Sequence, residues 1–294
     1  MEKARNVVHL ENLGGYSGCS IYKVITDFDF IYVSKSSSSI TYNERFKIQL
    51  LKQSSFSNLF SGSNLLAVPE IYIQDVGDDG ILYCEMQYVP SKERITNRLS
   101  DILPLLIDYF HVARHKKPIE LCDLSFQDCL KPKMRNISKM VPSTLNKLIT
   151  ESLYSIRKLN LPQSFCHGDL TLENLILSID RKLYFIDFLD SFYPTVWLDY
   201  AKLYQEIEAG WSNIRNGKIC DAPNPCYRTF RFEMNNWLNI HDAEYCKYHY
   251  FFLALCLLRI IPYTKQEEIY NALCTKSKLY LKKFLNGELL KNFA

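Results

Sequence analysis

The sequence lacks a strong net charge and any long hydrophobic run. Its formal net charge is +3 over 294 residues, which is too small to indicate a nucleic-acid partner. The longest apolar run, 251–258 with two isoleucines just beyond it, is too short to cross a bilayer. The first residues contain no apolar core of a secretory signal. We therefore expect no membrane span and no nucleic acid among the partners.

Paired cysteines are also missing. The ten cysteines are scattered without a single C-x-x-C pair, so their spacing supports neither a zinc site nor a disulfide framework. Several of them, such as Cys84 and Cys256, stand inside apolar runs, where a free thiol behaves as a small buried hydrophobe. This usage predicts free thiols in a reducing cytoplasm.

Two local basic runs, 113–118 and 131–139, interrupt an otherwise balanced chain. A solvated helix face or a loop is the main interpretation of such runs. A site for an anionic substrate is the alternative.

Apolar residues make up 47% and aromatic residues 14% of the chain, which is enough to fill a large core. The first ninety residues read mostly as strands, whereas later residues place apolar side chains three and four apart, as helices do. The expected segments are strands over 20–27 and 28–36, two strands around the turn 77–80, helices over 41–56, 99–114 and 143–159, and a buried helix over 241–263. This order predicts an α+β fold with two lobes, a small β-rich lobe over 1–90 with a hinge near 85–90, and a larger helical lobe over 91–294.

Glycines cluster just ahead of the first predicted strand pair. Gly14, Gly15 and Gly18, with Ser17 among them, form a loop whose backbone N–H groups can approach phosphate oxygens. A glycine-rich hairpin turn is the alternative. Lys35, near the end of the second following strand, favours a nucleotide site, because a lysine beneath such a loop reaches the α- and β-phosphates. A solubilising lysine on an edge strand is the alternative for that residue.

Polar side chains stand at the ends of two short apolar runs, 175–177 and 183–186. If the runs pair as a hairpin, Asn174 and Asp187 fall at the same end and can share a hard cation through oxygen ligands. Asp169, in the preceding loop, would accept a proton from a hydroxyl nucleophile. Turn capping explains any one of these residues, but it does not explain the whole spaced set.

The segments HGDLTLEN (167–174) and FIDFLD (185–190) resemble the signature of the aminoglycoside phosphotransferase and choline kinase family, which has a protein-kinase-like fold. The resemblance extends to the glycine-rich loop, to EMQYVPS (85–91) and to LDYAKLYQEIEAGW (198–211). Within the family, the sequence resembles bacterial phosphotransferases that are often associated with sugar or capsule metabolism. The resemblance implies ATP-dependent phosphorylation of a small-molecule hydroxyl, with Mg²⁺ as the metal.

The resemblance also implies a chemical role for each matching residue. Asp169 would be the catalytic base that orients and deprotonates the acceptor hydroxyl, and Lys35 would neutralise the α- and β-phosphates of ATP. Asn174 and Asp187 would hold Mg²⁺. Asp190 would assist at the metal or fix the loop.

Further residues match the parts of the family that surround the chemistry. Met86 is implied to line the adenine pocket, and the backbone of Gln87 and Val89 is implied to meet the adenine edge. His167 is implied to brace the catalytic loop rather than to act as an acid or a ligand.

The sequence departs from the family in what holds the strand lysine. Kinases of this fold place a glutamate on the following helix against that lysine. Glu44 comes only nine residues after Lys35, and Gln49 and Gln53 compete for the inward position. We expect Glu44 to orient Lys35, with the two glutamines as alternatives.

The acceptor remains open among sugars, amino alcohols such as choline, and aminoglycosides. The region 191–250 carries aromatic and acidic residues that would either contact the acceptor or belong to the core, and the core is the favoured interpretation. These residues are Tyr193, Trp197, Asp199, Tyr200, Glu206, Glu208 and Trp211. A toxin-like protein Ser/Thr kinase is a second hypothesis, disfavoured by the short segment between Asp187 and the next predicted helix. An idle nucleotide-binding module is a third, disfavoured because Asp169, Asn174 and Asp187 are all present.

Overall fold

The computed structural model describes residues 6–14, 19–91, 93–217 and 225–290. The chain divides into two compact units. The first comprises Met1–Arg98 with Glu173–Asp190, and the second comprises Leu99–Leu172 with Ser191–Ala294. The first unit therefore contains the hairpin that carries Asn174 and Asp187, although the sequence division at residue 90 places this hairpin with the helical part.

A five-stranded antiparallel sheet is the main element of the first unit. Its strands are β1 (Val7–Asn12), β2 (Cys19–Thr26), β3 (Ile31–Ser37), β5 (Ile71–Val76) and β6 (Leu82–Gln87), in the order β1-β2-β3-β6-β5. The predicted hairpin near Asp27–Asp29 is confirmed as β2–β3, with Asp29 in the left-handed region at φ 54°. The two strands predicted around the 77–80 turn are confirmed as β5 and β6. Strand β1 was not predicted, because its side chains are exposed along its whole length.

One helix packs against this sheet. The helix predicted over 41–56 is confirmed as α1 (Asn43–Leu59). Its apolar positions Phe46 and Leu50 are buried against Leu82, Cys84 and Met86 of β6. The small core of the first unit thus fixes β3, the neighbour of β6, in the register that decides where Lys35 stands.

A second, three-stranded sheet completes the first unit. Its strands are β4 (Leu66–Ala67), β7 (Leu175–Leu177) and β8 (Leu183–Phe185), in the order β4-β8-β7. β7 and β8 form the predicted antiparallel hairpin. β4 runs parallel to β8, which ties residues from two distant parts of the chain into one sheet.

The second unit is helical in its described residues. Its helices are α2 (Leu99–Ala113), α3 (Phe126–Ser138), α4 (Ser143–Ser155), α5 (Val196–Ile207), α6 (Trp211–Arg215), α7 (Arg228–His241), α8 (Ala243–Leu258) and α9 (Glu267–Leu285). The helices predicted over 99–114 and 143–159 are confirmed as α2 and α4. The buried helix predicted over 241–263 is confirmed as α8, which is buried on nearly every side. None of the helices in the described ranges combines the length and the hydropathy of a membrane span.

Candidate active site

Lys35 lies in the middle of the first unit's main sheet, on β3 between β2 and β6. Its Nζ donates to Oδ1 of Asp187 at 2.6 Å, and the two residues are 152 positions apart in the chain. The lysine side chain is only 7% exposed, against 28% for the aspartate. Burial lowers the pKa of the Lys35 ammonium, but the attraction of Asp187 outweighs burial, and the pKa is raised overall. The ammonium therefore stays charged at neutral pH.

Asp187 follows β8 in a backbone conformation that few residues adopt. Its φ is 58°, in the left-handed region where aspartate and asparagine are enriched among non-glycine residues. At the same end of the hairpin, the Ile186 N–H donates to the Asn174 carbonyl at 3.0 Å. Asn174 and Asp187 therefore stand at one end of the β7–β8 hairpin, as the spacing predicted. An amide oxygen and a carboxylate are hard donors that fit Mg²⁺. Within the described residues, no group of three or more His, Cys, Asp or Glu side chains is arranged to hold a metal ion.

The segment after Asp187 is held by cations from α1. Nζ of Lys52 donates to the Leu189 carbonyl at 2.6 Å, and the lysine is 8% exposed. Asp190 forms an ion pair with Arg45 at 3.8 Å. Lys52 was missed in the sequence, because a lysine in an amphipathic helix is usually solvated. Its i, i+7 spacing from Arg45 was the available signal.

The expectation that Glu44 orients Lys35 does not hold in this structure. Oε1 of Glu44 accepts from Nζ of Lys47 at 2.7 Å, and the glutamate side chain is 79% exposed. Glu44 stands in the first turn of α1, and it points to solvent there. Asp187 takes the partner position at Lys35 instead.

The two glutamines that competed with Glu44 are buried but bond elsewhere. Nε2 of Gln49 donates to the Tyr42 hydroxyl at 3.0 Å. Nε2 of Gln53 donates to the Pro69 carbonyl at 2.8 Å and lies 3.9 Å from Sδ of Met86. Both glutamines therefore support the loops around the sheet rather than Lys35.

The predicted adenine segment lies at the end of β6. Met86 and Val89 are buried, each 7% exposed. The Gln87 N–H donates to the Glu70 carbonyl at 2.8 Å, so this backbone donor is already used within the sheet. The adenine contacts of Gln87 and Val89 remain predictions.

Only one residue of the predicted phosphate loop lies within the described ranges. Gly14 adopts φ 70°, and its N–H donates to Oδ1 of Asn12 at 2.7 Å. A Cβ at this position would meet nothing within 4 Å, so the conformation, not the space, favours glycine. Gly15, Ser17 and Gly18 lie outside the described residues.

The loop that carries Asp169 belongs to the second unit and is held by one buried carboxylate. Asp199 of α5 accepts from the His167 N–H at 2.7 Å, from the Gly168 N–H at 2.8 Å and from the Tyr109 hydroxyl at 2.8 Å. Gly168 adopts φ 93°, which few residues with a Cβ tolerate. His167 is fully buried, and its Nδ1 lies 3.3 Å from the Asp169 N–H. This arrangement fixes the backbone of the loop, in line with the core interpretation that the sequence favoured for Asp199 over a contact with the acceptor.

Asp169 has a direct ion-pair partner that sequence reasoning did not identify. Nζ of Lys202 lies 2.8 Å from Oδ1 of Asp169, with the two side chains 14% and 27% exposed. Burial raises the pKa of the Asp169 carboxyl, but the attraction of Lys202, aided by His167 and Arg259, lowers it overall. Lys202 follows Asp199 by three residues on α5, so that both side chains share one helix face, which was the available signal.

The other acids predicted for the acceptor region are used internally. Glu206 accepts from the Ser212 N–H and hydroxyl, both at 2.8 Å. Glu208 lies 3.2 Å from Nε2 of His249. The aromatic residues Tyr193, Trp197 and Tyr200 are buried, each 4% exposed or less, whereas Trp211, at the start of α6, is half-buried. The core interpretation therefore holds for most of this set.

Part of the sequence matches a known family. Residues 121–232 match the sequence model of the APH phosphotransferase enzyme family, which is less than half of the chain. A search of curated protein sequences gives no match. The resemblance stated from the sequence motifs is confirmed.

Superposition on solved structures identifies the fold of the chain. A fructosamine-3-kinase-like protein from Thermobifida fusca superposes with a TM-score of 0.62 at 14% identity, over 95% of each chain. The chain has the fold of the aminoglycoside phosphotransferases. One of these, in complex with GDP and kanamycin, gives a TM-score of 0.64 at 13% identity over 96% of this chain and 94% of its own. Another, with AMP-PNP and hygromycin B, gives 0.67 at 10% identity over 96% of each chain. The predicted α+β, protein-kinase-like fold is confirmed, and the family match supports a phosphotransferase enzyme.

Proposed function

We propose that the protein transfers the γ-phosphoryl group of ATP to a hydroxyl group of a small molecule. The observation that carries the proposal is the contact between Lys35 and Asp187, with Asn174 at the same hairpin end. A buried cation and two oxygen ligands on adjoining strands are what a metal–phosphate complex needs. The nucleotide complexes of the structural neighbours support the same use of the fold.

The first unit would bind the nucleotide. Asn174 and Asp187 would hold Mg²⁺, which when bound neutralises charge on the phosphates. Lys35 would exchange its contact with Asp187 for the α- and β-phosphates. Asp190 would assist at the metal, and Gly14 would contribute to the phosphate loop. These roles are proposals for the residues that match the family motifs.

Asp169 of the second unit would orient the acceptor hydroxyl. Its lowered pKa keeps it ionised at neutral pH, ready to accept a hydrogen bond from a hydroxyl group. A carboxylate of low pKa is a weak base, but phosphoryl transfer passes through a loose transition state in which the attacking hydroxyl needs little early deprotonation. Asp169 would thus act first by positioning and take the proton late.

A small molecule is the proposed acceptor rather than a protein. Only residues 188–195 separate Asp187 from the start of α5, which leaves little chain for docking a peptide. The structural neighbours in complex with kanamycin and with hygromycin B support the same class of acceptor. The described cysteines are free thiols, which supports the further proposal that the protein works in a reducing cytoplasm.

The test is ADP release from MgATP with a panel of hexoses, amino alcohols, sugar acids and aminoglycosides. We expect at least one acceptor to raise ADP release well above hydrolysis by water, and Asp169→Asn to lower that rate by about a hundredfold or more while MgATP still binds. A variant that keeps the wild-type rate would disprove the role of Asp169. If no acceptor of the panel raises ADP release although MgATP binds, the result would favour a nucleotide-binding module without kinase activity.

A further inference from the structure

Two permanently cationic side chains of the second unit, Lys202 and Arg259, act on Asp169. Lys202 pairs with Asp169 at 2.8 Å and is largely buried. A lysine ammonium has three N–H donors, and Asp169 is the one ion-pair partner of Lys202 within the described residues. The Arg259 guanidinium also lowers the pKa of the Asp169 carboxyl. The carboxylate is therefore outnumbered by cations that act on it.

Two cations of the same unit also flank one aromatic ring. The Arg259 guanidinium lies 5.1 Å from the ring centroid of Phe192, and Nζ of Lys133 lies 5.3 Å from it. Phe192 is partly exposed. Lys133 belongs to the basic run 131–139, which the structure places largely on α3. Lys202, Arg259 and Lys133, with Phe192, are called here the cationic patch.

The acids nearest to Lys202 in the sequence, on α5 and just after it, are engaged by other groups. Asp199 accepts three hydrogen bonds from the catalytic loop and Tyr109. Glu206 and Glu208 are bonded to Ser212 and His249. A substrate with several ammonium groups would therefore meet like charges near Asp169, whereas an anionic group would meet opposite ones.

We propose that the acceptor carries an anionic group, a carboxylate or a phosphate ester, beside the hydroxyl that is phosphorylated, and that Lys202 and Arg259 bind this group. The proposal rests on the phosphotransferase function proposed above. In the reaction, the acceptor oxygen forms a bond to the γ-phosphorus and the bond from that phosphorus to the β–γ bridging oxygen breaks. The hydroxyl proton passes to Asp169, and ADP leaves. Polycationic aminoglycosides would be disfavoured substrates.

The test compares sugars that share a ring but differ in charge. Binding of glucuronate, glucose 6-phosphate, glucose and glucosamine is measured by equilibrium titration of the full chain, and ADP release is measured in parallel. We expect one or both anionic sugars to bind at least about tenfold more tightly than glucosamine. The affinity for glucose should lie between those for the anionic sugars and for glucosamine. The two anionic arms separate a carboxylate from a phosphate ester. Among these sugars, raising the salt concentration should weaken the binding of the anionic sugars alone.

Substitutions test whether the cationic patch causes the charge preference. Lys202→Met and Arg259→Met should each reduce the preference for the anionic sugar, and Lys202→Arg should preserve most of it. Lys147→Met is the matched control, because Lys147 is a 79% exposed lysine of α4 whose ion pair with Glu151 is 4.0 Å long. It should leave the preference unchanged. A thermal melt of each variant shows that the protein is folded.

Three results would each overturn the proposal. The first is binding of glucosamine as tight as that of both anionic sugars. The second is no detectable binding of either anionic sugar, and the third is a preference that survives both Met substitutions. Anionic binding that depends on Lys202 without any ADP release would leave the patch in place and refute the phosphotransferase function. ADP release that is faster with cationic acceptors would support the phosphotransferase function and refute the anionic acceptor site.

Discussion

At the scale of single residues, the Lys35–Asp187 pair is asymmetric. The lysine is buried and the aspartate is partly open to water. Asp187→Asn leaves a buried cation without its counter-charge, and we expect a loss of up to about 3 kcal/mol in the free energy of unfolding. Lys35→Met replaces the buried ammonium with an apolar chain, and it should cost little stability while abolishing most MgATP affinity. Urea unfolding and nucleotide titration measure the two effects. Equal stability losses in both variants would contradict this assignment of burial and charge.

The pH dependence of turnover reports the Asp169–Lys202 pair. The pKa of Asp169 is lowered because the attraction of Lys202 exceeds the effect of burial, so the rate should fall with decreasing pH only below the ordinary aspartate range. Lys202→Met removes that attraction and leaves burial, which raises the pKa. The acidic limb of the kcat profile should therefore move to higher pH, whereas Lys202→Arg should keep it low. An acidic limb that does not move in the methionine variant would show that Asp169 does not control it.

At the scale of elements, α5 positions the loop that carries Asp169 through Asp199. Asp199→Ala removes the carboxylate that accepts from the buried N–H groups of His167 and Gly168 and leaves the Tyr109 hydroxyl, 3.0 Å from the His167 nitrogen, as an acceptor for His167 alone. This loss should cost about 3 kcal/mol of stability. Tyr109→Phe removes one hydroxyl from the same cluster and should cost about 1 kcal/mol. Urea unfolding gives both values, and activity of the folded fraction shows whether the loop is displaced. A smaller loss for Asp199→Ala than for Tyr109→Phe would contradict the proposed anchoring.

At the scale of the whole molecule, the first unit is discontinuous in sequence. Leu66 of β4 pairs with Leu183 of β8, and the Phe56 ring lies 4.9 Å from that of Phe185. A fragment of residues 1–98 lacks these partners, and we expect it not to fold cooperatively. Fusing residues 173–190 to it through a flexible linker should restore a cooperative urea transition. If the 1–98 fragment alone unfolds cooperatively and is as stable as its fusion with residues 173–190, this division of the chain would be contradicted.

Much of this architecture is predictable from the sequence because its signals are local. Alternation predicted the β2–β3 pair, and continuous apolar character predicted α8. The hairpin end shared by Asn174 and Asp187 followed from two short apolar runs that are separated by a polar turn. Strand β1 escaped prediction because its exposed side chains carry no burial pattern.

The remaining parts of the site depend on tertiary contacts that spacing does not encode. The spacing of Lys202 from Asp199 places the two on one helix face, but it does not show that Lys202 pairs with Asp169 rather than with water. Glu44 has the charge that the family uses, but the start of α1 directs it to solvent. Asp199 was identified as an acid, and only the three-dimensional structure shows that it bonds the backbone of the catalytic loop.

The central claim is that the γ-phosphoryl group moves to a small-molecule hydroxyl with Asp169 as its positioning base. Mass spectrometry of both the acceptor and the protein after incubation with MgATP tests it most directly. We predict that the acceptor gains one phosphoryl group, that the protein gains none, and that Asp169→Asn suppresses the product. Phosphorylation of protein side chains without any modified small molecule, or product formation that persists in Asp169→Asn, would contradict the account.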